Sequence, residues 1–298
     1  MTPSREEDLT NKRYLMAVAI AMLIWSTSFV ATKIAYQSFP PLTLGALRFV
    51  IASFALGAAA VITKQLSVPC LRDLIILTIS GILGITLYFS LENTGISMTS
   101  ASDASLICAS YPAITVLMER MVYGIRVSWK KWFGIILTIF GITIITWAGT
   151  QGNGAESGDR LTGNILLAAT GIVWALYNFG TRAVINKYPA ITVSFYQTVA
   201  GTLAFIPLAF FETSQWQEPT ALSIGVLIYL GIFCSVAAFM LYNYGLRKLN
   251  AGTAVFMANL IPVFGVFFSW AALHEQITLL QLAGGAVVIA GVFYGLRH

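Results

Sequence analysis

Long apolar stretches separated by short polar connections run through the whole chain. A helix that spans a bilayer needs about 20 predominantly apolar residues, and ten segments meet this requirement. They lie at about 14–36, 41–62, 71–92, 101–122, 130–149, 162–184, 190–211, 220–243, 251–273 and 279–297. The pattern predicts an all-α integral membrane protein with ten transmembrane helices.

The second half of the chain repeats the first at a nearly constant offset. At a shift of 150 positions the matched pairs are Gly81 and Gly231, Phe89 and Phe239, Asn93 and Asn243, Gly95 and Gly245, Ala101 and Ala251, Ala104 and Ala254, Pro112 and Pro262, Gly134 and Gly284, and Gly141 and Gly291. Nearer the N-terminus the shift is 149, and it pairs Trp25 with Trp174. The offset predicts an internal duplication, with one copy in 1–150 and the other in 151–298, joined by the polar, Gly-rich stretch 151–161.

The number of helices in each copy has a geometric consequence. Each copy holds five predicted helices, so the second copy enters the membrane from the opposite side. The two copies are therefore predicted to be inverted repeats. In secondary transporters this arrangement places the substrate site at the repeat interface near the bilayer midplane, and rocking of the halves alternates access. The architecture favours transport.

Composition and charge add an orientation. Residues of the hydrophobic class make up 57% of the chain and charged residues only 10%, whereas a soluble domain has roughly 25% charged residues. The net charge of +5 does not indicate nucleic acid, because the basic residues lie between apolar segments. With the N-terminus inside, 14 of the 17 Lys and Arg residues fall in cytoplasmic stretches, which predicts that both termini are cytoplasmic.

The motifs of covalent or metal chemistry are missing from the sequence. Of the three cysteines, Cys108 and Cys234 fall inside apolar segments and Cys70 in a short connection, so no disulfide framework is indicated. His274 and His298 are not spaced for a metal, and no glycine loop resembles a phosphate cradle. We expect a protein that is not an enzyme and has no catalytic residues, no metal and no cofactor.

Aromatic residues at mid-depth are the first candidates for a binding site. Trp25 and Trp174 occupy equivalent positions near the middle of predicted helices 1 and 6, although tryptophan normally favours the membrane interface. Ser28 shares a helical face with Trp25, as Tyr177 and Asn178 do with Trp174. These residues either line a central cavity or pack the bundle through large side chains and helix-to-helix hydrogen bonds.

Prolines and tyrosines supply further candidates. Predicted helices 4 and 9 are expected to hinge at the equivalent residues Pro112 and Pro262, because proline lacks the N–H that continues a helix. Tyr111 and Asn259 lie beside these prolines. Tyr88 and Tyr242, at opposite depths, either line access paths or belong to the aromatic belts. The candidate substrate-binding residues are Trp25, Ser28, Tyr88, Tyr111, Trp174, Tyr177, Asn178, Tyr242 and Asn259.

Three charged residues are candidates for charge pairing or coupling. Arg48 lies roughly 10 Å into predicted helix 2, at 1.5 Å per residue, and an intramembrane charge is a functional candidate by default. Its repeat mate Gln197 is neutral. Glu92 and Asp103 border the connection between predicted helices 3 and 4, where either can pair with Arg48 or exchange a proton. In the alternative, both carboxylates are solvated interface residues and Arg48 snorkels outward.

Several motifs together resemble a known family. Ten helices in two copies, the run Trp25 to Phe29, the run Pro41 to Phe49, and the stretch 251–262 followed by His274 and Glu275 are similar to the EamA family of the drug/metabolite transporter superfamily. The resemblance covers nearly the whole chain, so that each copy is an EamA repeat. Arg48 and Glu275 match the family's helix-2 arginine and its acidic position after helix 9. The first copy has Ile125 at that acidic position.

The resemblance implies a bacterial inner-membrane exporter of small metabolites, often amino acids. Within the family, the aromatic candidates favour exporters of the YddG type, which move aromatic amino acids and related cations. The expected partners are a small-molecule substrate and the lipid bilayer, with no nucleic acid, in a monomer or homodimer. The alternatives are a transporter of sugars, nucleotides or lipid headgroups, and a membrane scaffold or sensor that transports nothing. A membrane enzyme acting on lipid would need a cluster of acids or histidines that the sequence does not show.

Overall fold

The computed structural model describes residues 3–124, 126–150, 157–246, 257–258 and 260–297, and the regular structure in these ranges is helical. The helices are α1 (Pro3–Ala35), α2 (Pro41–Ile62), α3 (Leu71–Met98), α4 (Ala101–Cys108), α5 (Tyr111–Tyr123), α6 (Trp129–Thr150), α7 (Ser157–Arg182), α8 (Ala190–Ala209, followed by a 3-10 turn at Phe210–Gln215), α9 (Ala221–Tyr229, Leu230–Ala237 and Ala238–Leu246 in succession), α10 (Leu260–Leu273) and α11 (Leu279–Arg297). The part of the predicted linker at 151–156 lies outside the described residues.

Seven helices in the described ranges are long and apolar enough to cross a membrane. They are Arg13–Ala35, Pro41–Ile62, Leu71–Met98, Trp129–Ala148, Asp159–Arg182, Ala190–Gln215 and Ala221–Tyr242. The bent pair α4 and α5 makes an eighth if it counts as one broken span, and α10 and α11 are shorter apolar helices. The prediction of an all-helical membrane protein therefore agrees with the structure, and the number of ten spans stays a prediction.

The predicted helix 101–122 is broken earlier than its proline suggests. Ala109 and Ser110 separate α4 from α5, and the two helices meet at a bend of 45°. Pro112 lies in the first turn of α5, where a missing N–H leaves no intrahelical bond unmade. The proline therefore begins the second helix instead of kinking a continuous one. The expected hinge at Pro262 stays a prediction, because the described helix around it is interrupted at residue 259, which lies outside the described residues.

Helices α3 and α9 each contain a wider π-helical segment that the sequence pattern does not predict. These segments are Ile82–Leu87 and Leu230–Ala237, and the repeat offset of 150 places one over the other. A π-helical turn shifts the hydrogen-bond register and redirects side chains, and such turns are frequent at functional sites. The duplication therefore extends to an irregular backbone feature.

Equivalent helices of the two copies pack against each other in antiparallel fashion. A Cβ added to Gly141 of α6 would lie 2.8 Å from the carbonyl oxygen of Gly284 in α11, and one added to Gly134 would lie 2.6 Å from that of Gly291. In the same way Gly45 of α2 lies against Phe205 of α8, whereas Gly57, further along α2, lies against Phe195. Small residues permit such close backbone approach.

The remaining helices pair across the copies as well. Gly84 and Gly95 of α3 approach Tyr177 and Leu167 of α7 respectively, and α1 runs beside α9. A buried cluster accordingly mixes side chains from both halves, among them Phe49, Phe89 and Phe205. The interior of the bundle is thus built by both copies together, and the candidate site lies there.

Candidate substrate cavity

A cavity of about 440 Å³ lies between helices of both copies. Nine of the sequence-predicted candidates line it, namely Trp25, Ser28, Arg48, Tyr88, Glu92, Tyr111, Trp174, Asn178 and Tyr242. Other lining residues are Met22, Phe29, Phe89, Cys108, Ala109, Pro112, Thr115, Val116, Glu119, Arg182, Phe239, Ala258 and Ile261. The volume and the largely apolar lining are typical of a small-molecule site.

Aromatic rings form a connected wall around this cavity. The ring centroid of Trp25 lies 5.0 Å from that of Phe239 and 5.2 Å from that of Tyr242. Trp174 lies 5.6 Å from Tyr88 and 6.4 Å from Phe239. Tilted and edge-on contacts at these distances are favourable and fix the rings in place. The wall offers rigid apolar faces for a flat or branched side chain.

A hydrogen bond orients the ring of Trp25, and polar side chains bond the main chain of both tryptophans. The indole Nε1 of Trp25 donates to the carbonyl oxygen of Cys234 at 3.0 Å, inside the π-helical segment of α9. One turn further along each helix, Ser28 donates to the carbonyl of Trp25 at 2.6 Å and Asn178 to the carbonyl of Trp174 at 2.7 Å. Both polar side chains therefore line the cavity while bonding to their own helix.

Arg48 lies at the deep end of the cavity and is only 3% exposed. Its Nε donates to Ser235 Oγ at 2.6 Å, and Ser235 itself bonds the carbonyl of Leu230 through the π-helical segment. The guanidinium carbon lies 4.6 Å from the ring centroid of Phe89, a cation–π distance. The chain thus holds a charged group in a fixed position inside an apolar site.

Glu92 enters the same cavity from α3 and is 8% exposed. The hydroxyl of Tyr88, one turn earlier, donates to its Oε1 at 2.8 Å. Tyr111 hydrogen-bonds Thr170, and the Cys108 thiol donates to the Tyr111 hydroxyl at 3.1 Å. The polar groups of this wall are tied to one another, which keeps their positions defined.

One end of the cavity carries an exposed ion pair. Arg182 Nη1 lies 3.0 Å from Glu119 Oε1, and 65% of the Arg182 side chain is accessible. Both residues line the cavity together with Tyr242. This end, formed by the C-terminal parts of α5 and α7, is the mouth of the cavity.

The opposite end is closed by contacts between the copies. Glu275 accepts from the backbone amides of Ala101 and Ser102 at 2.8 and 3.0 Å, at the N-terminus of α4. Glu212 does the same for Leu42 and Thr43 of α2, at 3.1 and 2.7 Å. A carboxylate satisfies the free amides of a helix N-terminus and complements its dipole. Second-copy carboxylates therefore cap two first-copy helices at this end.

Two of the predicted candidates that the structure describes are not part of the cavity wall. Tyr177 lies behind Trp174, with ring centroids 5.3 Å apart, and donates to Gln197 Oε1 at 3.4 Å. Asp103 is fully buried at the closed end, where it accepts from Arg160 Nε at 2.9 Å and Gln281 Nε2 at 2.7 Å. Asn259 lies outside the described residues.

Sequence reasoning did not single out several lining residues. Phe239 contacts both tryptophans, and its repeat mate Phe89 also lines the cavity. Because Phe89 and Phe239 match at the repeat offset, the sequence could have marked both as candidates for the cavity wall. Glu119 and Arg182 gave no such signal, because charges at predicted helix ends are usually solvated. Glu212 gave none either, because its partner is a helix N-terminus about 170 positions away.

The long apolar helices, their packing across two copies, and the buried aromatic cavity define a multi-pass membrane protein of the transporter class. A model of the EamA-like transporter family matches the chain twice, at residues 12–147 and 161–296. The protein therefore belongs to the EamA-like transporter family, and the resemblance given by its motifs is confirmed. The predicted division at residue 150 falls between the two matches and stays a prediction.

Relatives of similar length can be aligned with nearly the whole chain. An uncharacterized transporter of Archaeoglobus fulgidus is 28% identical, covering 95% of this chain and 97% of its own. A probable terminal-alkyne amino-acid exporter of Streptantibioticus cattleyicolor is 28% identical, covering 93% of this chain and 91% of its own. A solved crystal structure matches 94% of this chain and 95% of its own with a TM-score of 0.65 at 21% identity, and shows the same fold.

Proposed function

We propose that this protein exports small metabolites, namely neutral and aromatic amino acids or related compounds, by alternating access around the cavity. The observation that carries the proposal is the wall of rings from both copies, Trp25, Tyr88, Trp174 and Phe239, around a cavity of about 440 Å³. A relative named as a probable amino-acid exporter supports the same substrate class. No covalent step is needed, because the substrate only has to bind and leave.

The packing of the helices supports an inverted relation between the copies. Repeat-equivalent helices, α2 with α8 and α6 with α11, meet in antiparallel fashion, as two copies related by an axis in the membrane plane would do. With α10 and α11 counted as spans, and α4 with α5 as one broken span, each copy has five. Movement of one half against the other then opens the cavity first to one side and then to the other.

The contacts at the two ends support a cavity that faces the cytoplasm. The mouth with Glu119 and Arg182 lies at the ends of α5 and α7, next to stretches rich in Lys and Arg, which are cytoplasmic under the positive-inside rule. The closed end, capped by Glu212 and Glu275, then faces outward. A substrate would enter from the inner membrane's cytoplasmic side and leave after these caps separate.

Counterflow in proteoliposomes tests this function. Vesicles preloaded with unlabelled phenylalanine should accumulate labelled phenylalanine transiently and saturably, whereas empty vesicles should not. Trp25→Ala and Trp174→Ala each remove one large face of the wall, and we expect the apparent KM to rise about tenfold, equivalent to about 1.4 kcal/mol of lost binding.

Two control variants accompany this measurement. Trp270→Ala removes a tryptophan that is 59% exposed on α10, and transport should be unchanged. Trp25→Phe keeps a ring but loses the hydrogen bond to Cys234, and should retain most of the affinity. Transport of every aromatic substrate at the wild-type rate in both alanine variants would show that the wall is not the site. Folded protein that exchanges none of these substrates would remove the amino-acid assignment and call for a screen of sugars, nucleotides and lipid headgroups.

A further inference from the structure

In the described residues, two of the four charged residues that line the cavity form no contact ion pair, although they act on each other electrostatically. Glu119 and Arg182 at the mouth pair with each other at 3.0 Å. Arg48 and Glu92 lie deeper and are each more than nine-tenths buried. In the part of the chain that the structure describes, no N–O distance of 4.0 Å or less joins Arg48 to a carboxylate or Glu92 to a cation.

The positive charge of Arg48 and the negative charge of Glu92, in one buried cavity without a contact ion pair, indicate what charges the ligand carries. Removing an ion from water is costly unless a partner or hydrogen bonds replace the solvent, and intramembrane charges accordingly mark substrate sites. Arg48 uses Nε for Ser235 and Glu92 uses Oε1 for Tyr88. The remaining guanidinium donors and the second carboxylate oxygen are left for a molecule that brings both a negative and a positive group.

We propose that Arg48 and Glu92 together bind the zwitterionic head of an amino acid, Arg48 its carboxylate and Glu92 its ammonium group. This inference rests on the proposed function and narrows it to substrates that carry both charges on one carbon. The geometry suits the chemistry, because the planar guanidinium presents two parallel N–H donors to a carboxylate. An ammonium group supplies the donors that a carboxylate oxygen accepts.

The surroundings of the two charges fix the orientation of the bound molecule. Arg48 is stacked on Phe89 at 4.6 Å and held by the π-helical segment of α9, so it cannot follow a misplaced ligand. With the head at the deep end, the side chain of the substrate points back along the rings of Tyr88 and Trp174 toward the mouth. Amines and acids that share the ring but lack one charge leave one buried group unpaired, and are rejected for that reason.

The duplication does not require charges at these two positions, because the equivalent positions in the second copy carry none. The repeat mate of Arg48 is Gln197, which is buried outside the cavity and donates to Ser80 and Thr181 at 2.9 and 2.8 Å. The repeat mate of Glu92 is Tyr242, which lines the cavity without a charge. The head-group site therefore belongs to one copy, and it makes the two ends of the cavity chemically different.

The test compares three ligands that share a phenyl ring. Phenylalanine carries both charges, phenethylamine only the ammonium group, and 3-phenylpropanoate only the carboxylate. Each competes with labelled phenylalanine in counterflow by the wild-type protein at pH 7 without an ion gradient, so that any role of these residues in ion coupling does not enter. We expect phenylalanine to compete at least tenfold more strongly than either analogue, equivalent to about 1.4 kcal/mol.

Variants then assign each charge to its half of the head. Arg48→Gln should weaken competition by phenylalanine but not by phenethylamine, so that the preference for phenylalanine falls to within about twofold. Glu92→Gln should weaken competition by phenylalanine but not by 3-phenylpropanoate, so that the preference for phenylalanine over 3-phenylpropanoate also falls to within about twofold. Gln197→Ala, at the repeat mate outside the cavity, should keep both preferences.

The outcomes separate this inference from the proposed function. Wild-type protein that exchanges phenylalanine but accepts phenethylamine or 3-phenylpropanoate equally well would overturn the head-group site and leave amino-acid transport standing. An Arg48→Gln protein that still prefers phenylalanine tenfold would overturn it as well. Folded wild-type protein that exchanges no amino acid would overturn both. If Arg48→Gln does not fold, the wild-type ligand series decides alone.

Discussion

Trp25 and Trp174 occupy equivalent positions in the two copies but are held by different contacts. Trp25 is anchored by a hydrogen bond to Cys234 and by edge contact with Phe239. Trp174 is instead packed between Tyr88 and Tyr177. The sequence position determines that both rings face the centre, whereas the neighbouring side chains determine how each is oriented. Asymmetric contacts of this kind let a duplicated scaffold bind an asymmetric substrate.

Asp103 has a structural role in the closed end of the bundle. Its Oδ2 accepts from Arg160, Thr99 and Asn164, and its Oδ1 accepts from Gln281, so each oxygen has a donor. Asp103→Asn places an amide group against these donors and removes the charge opposite Arg160. We expect a loss of about 2–3 kcal/mol of stability, measured as a lower thermal midpoint in detergent.

The matched control for Asp103 is Glu119→Gln at the mouth. Its ion pair with Arg182 is exposed, and such pairs contribute about 0–1 kcal/mol. Equal thermal midpoints for Asp103→Asn and Glu119→Gln would show that the buried network does not stabilise the closed end.

At the scale of helices, the π-helical segments of α3 and α9 connect backbone irregularity to the site. The segment Leu230–Ala237 supplies the Cys234 carbonyl that orients Trp25 and the Ser235 hydroxyl that holds Arg48. In a regular α-helix the carbonyl of Cys234 would be directed along the helix axis to its own i+4 partner. The wider turn therefore allows α9 to hold two residues of the cavity wall, Trp25 and Arg48, while continuing as a helix.

The glycines of α6 and α11 allow a close backbone contact between the copies. A Cβ on Gly141 would lie 2.7 Å from Val288 Cγ2 and 2.8 Å from the Gly284 carbonyl, and one on Gly291 would lie 2.8 Å from the Gly134 carbonyl. Backbone atoms cannot move aside as flexible side chains can. Gly141→Ala or Gly291→Ala should therefore destabilise the protein by about 1–3 kcal/mol, as read from the thermal midpoint.

A helical glycine on α9 provides the control for this packing. Beyond its own helical turn, no atom of the described residues lies within 4 Å of a Cβ added to Gly225, so Gly225→Ala only improves helix propensity, by up to about 1 kcal/mol. Gly141→Ala is expected to lower the thermal midpoint and Gly225→Ala to raise it. A Gly141→Ala protein as stable as Gly225→Ala would contradict the tight α6–α11 contact.

At the scale of the whole molecule, the cavity has one mouth and one closed end. Glu212 and Glu275, both from the second copy, cap α2 and α4 of the first. At the other end of the bundle, Thr192 of α8 contacts the backbone of Gln65 and Ser67, and Asp73 of α3 accepts from Lys187 Nζ at 2.8 Å. The position of Glu275 in the first copy is taken by Ile125. In the described residues, carboxylates of the second copy thus cap helices of the first at the closed end, whereas an ion pair joins the copies at the mouth end.

Native cysteines report which side of the membrane the mouth faces. Cys108 lines the cavity, whereas Cys70 is exposed between α2 and α3. With Cys70 and Cys234 replaced by serine, a membrane-impermeant maleimide should label Cys108 in inside-out vesicles but not in intact cells, because the proposed mouth is cytoplasmic. Bound substrate should slow this labelling.

The protein that retains only Cys70 calibrates the same experiment. Cys70 lies outside the cavity and near Tyr188, whose hydroxyl accepts from its amide at 3.1 Å, so substrate should not protect it. Labelling of Cys70 from the cytoplasmic side together with labelling of Cys108 from the outer side would reverse the proposed direction of access.

The sequence by itself identified the apolar helices, the duplication and nine of the side chains that line the cavity. Hydropathy is a local property of some 20 residues, and the repeat offset can be read without any knowledge of packing. Mid-depth residues such as Trp25, Trp174 and Arg48 stood out because aromatic and charged groups are unusual there. Their roles in binding remain predictions that the experiments above address.

Which candidates face the cavity, and which contacts fix their positions, became known only from the packing of the helices. Tyr177 and Asn178 are neighbours in sequence, yet Asn178 lines the cavity and Tyr177 lies behind Trp174. An apolar helix has no polar face to mark its inward side, so helical periodicity cannot separate such residues. The caps of Glu212 and Glu275 depend on partners about 170 positions away in the chain, which local sequence does not reveal. The sequence pattern also did not predict the break at Ala109 or the two π-helical segments.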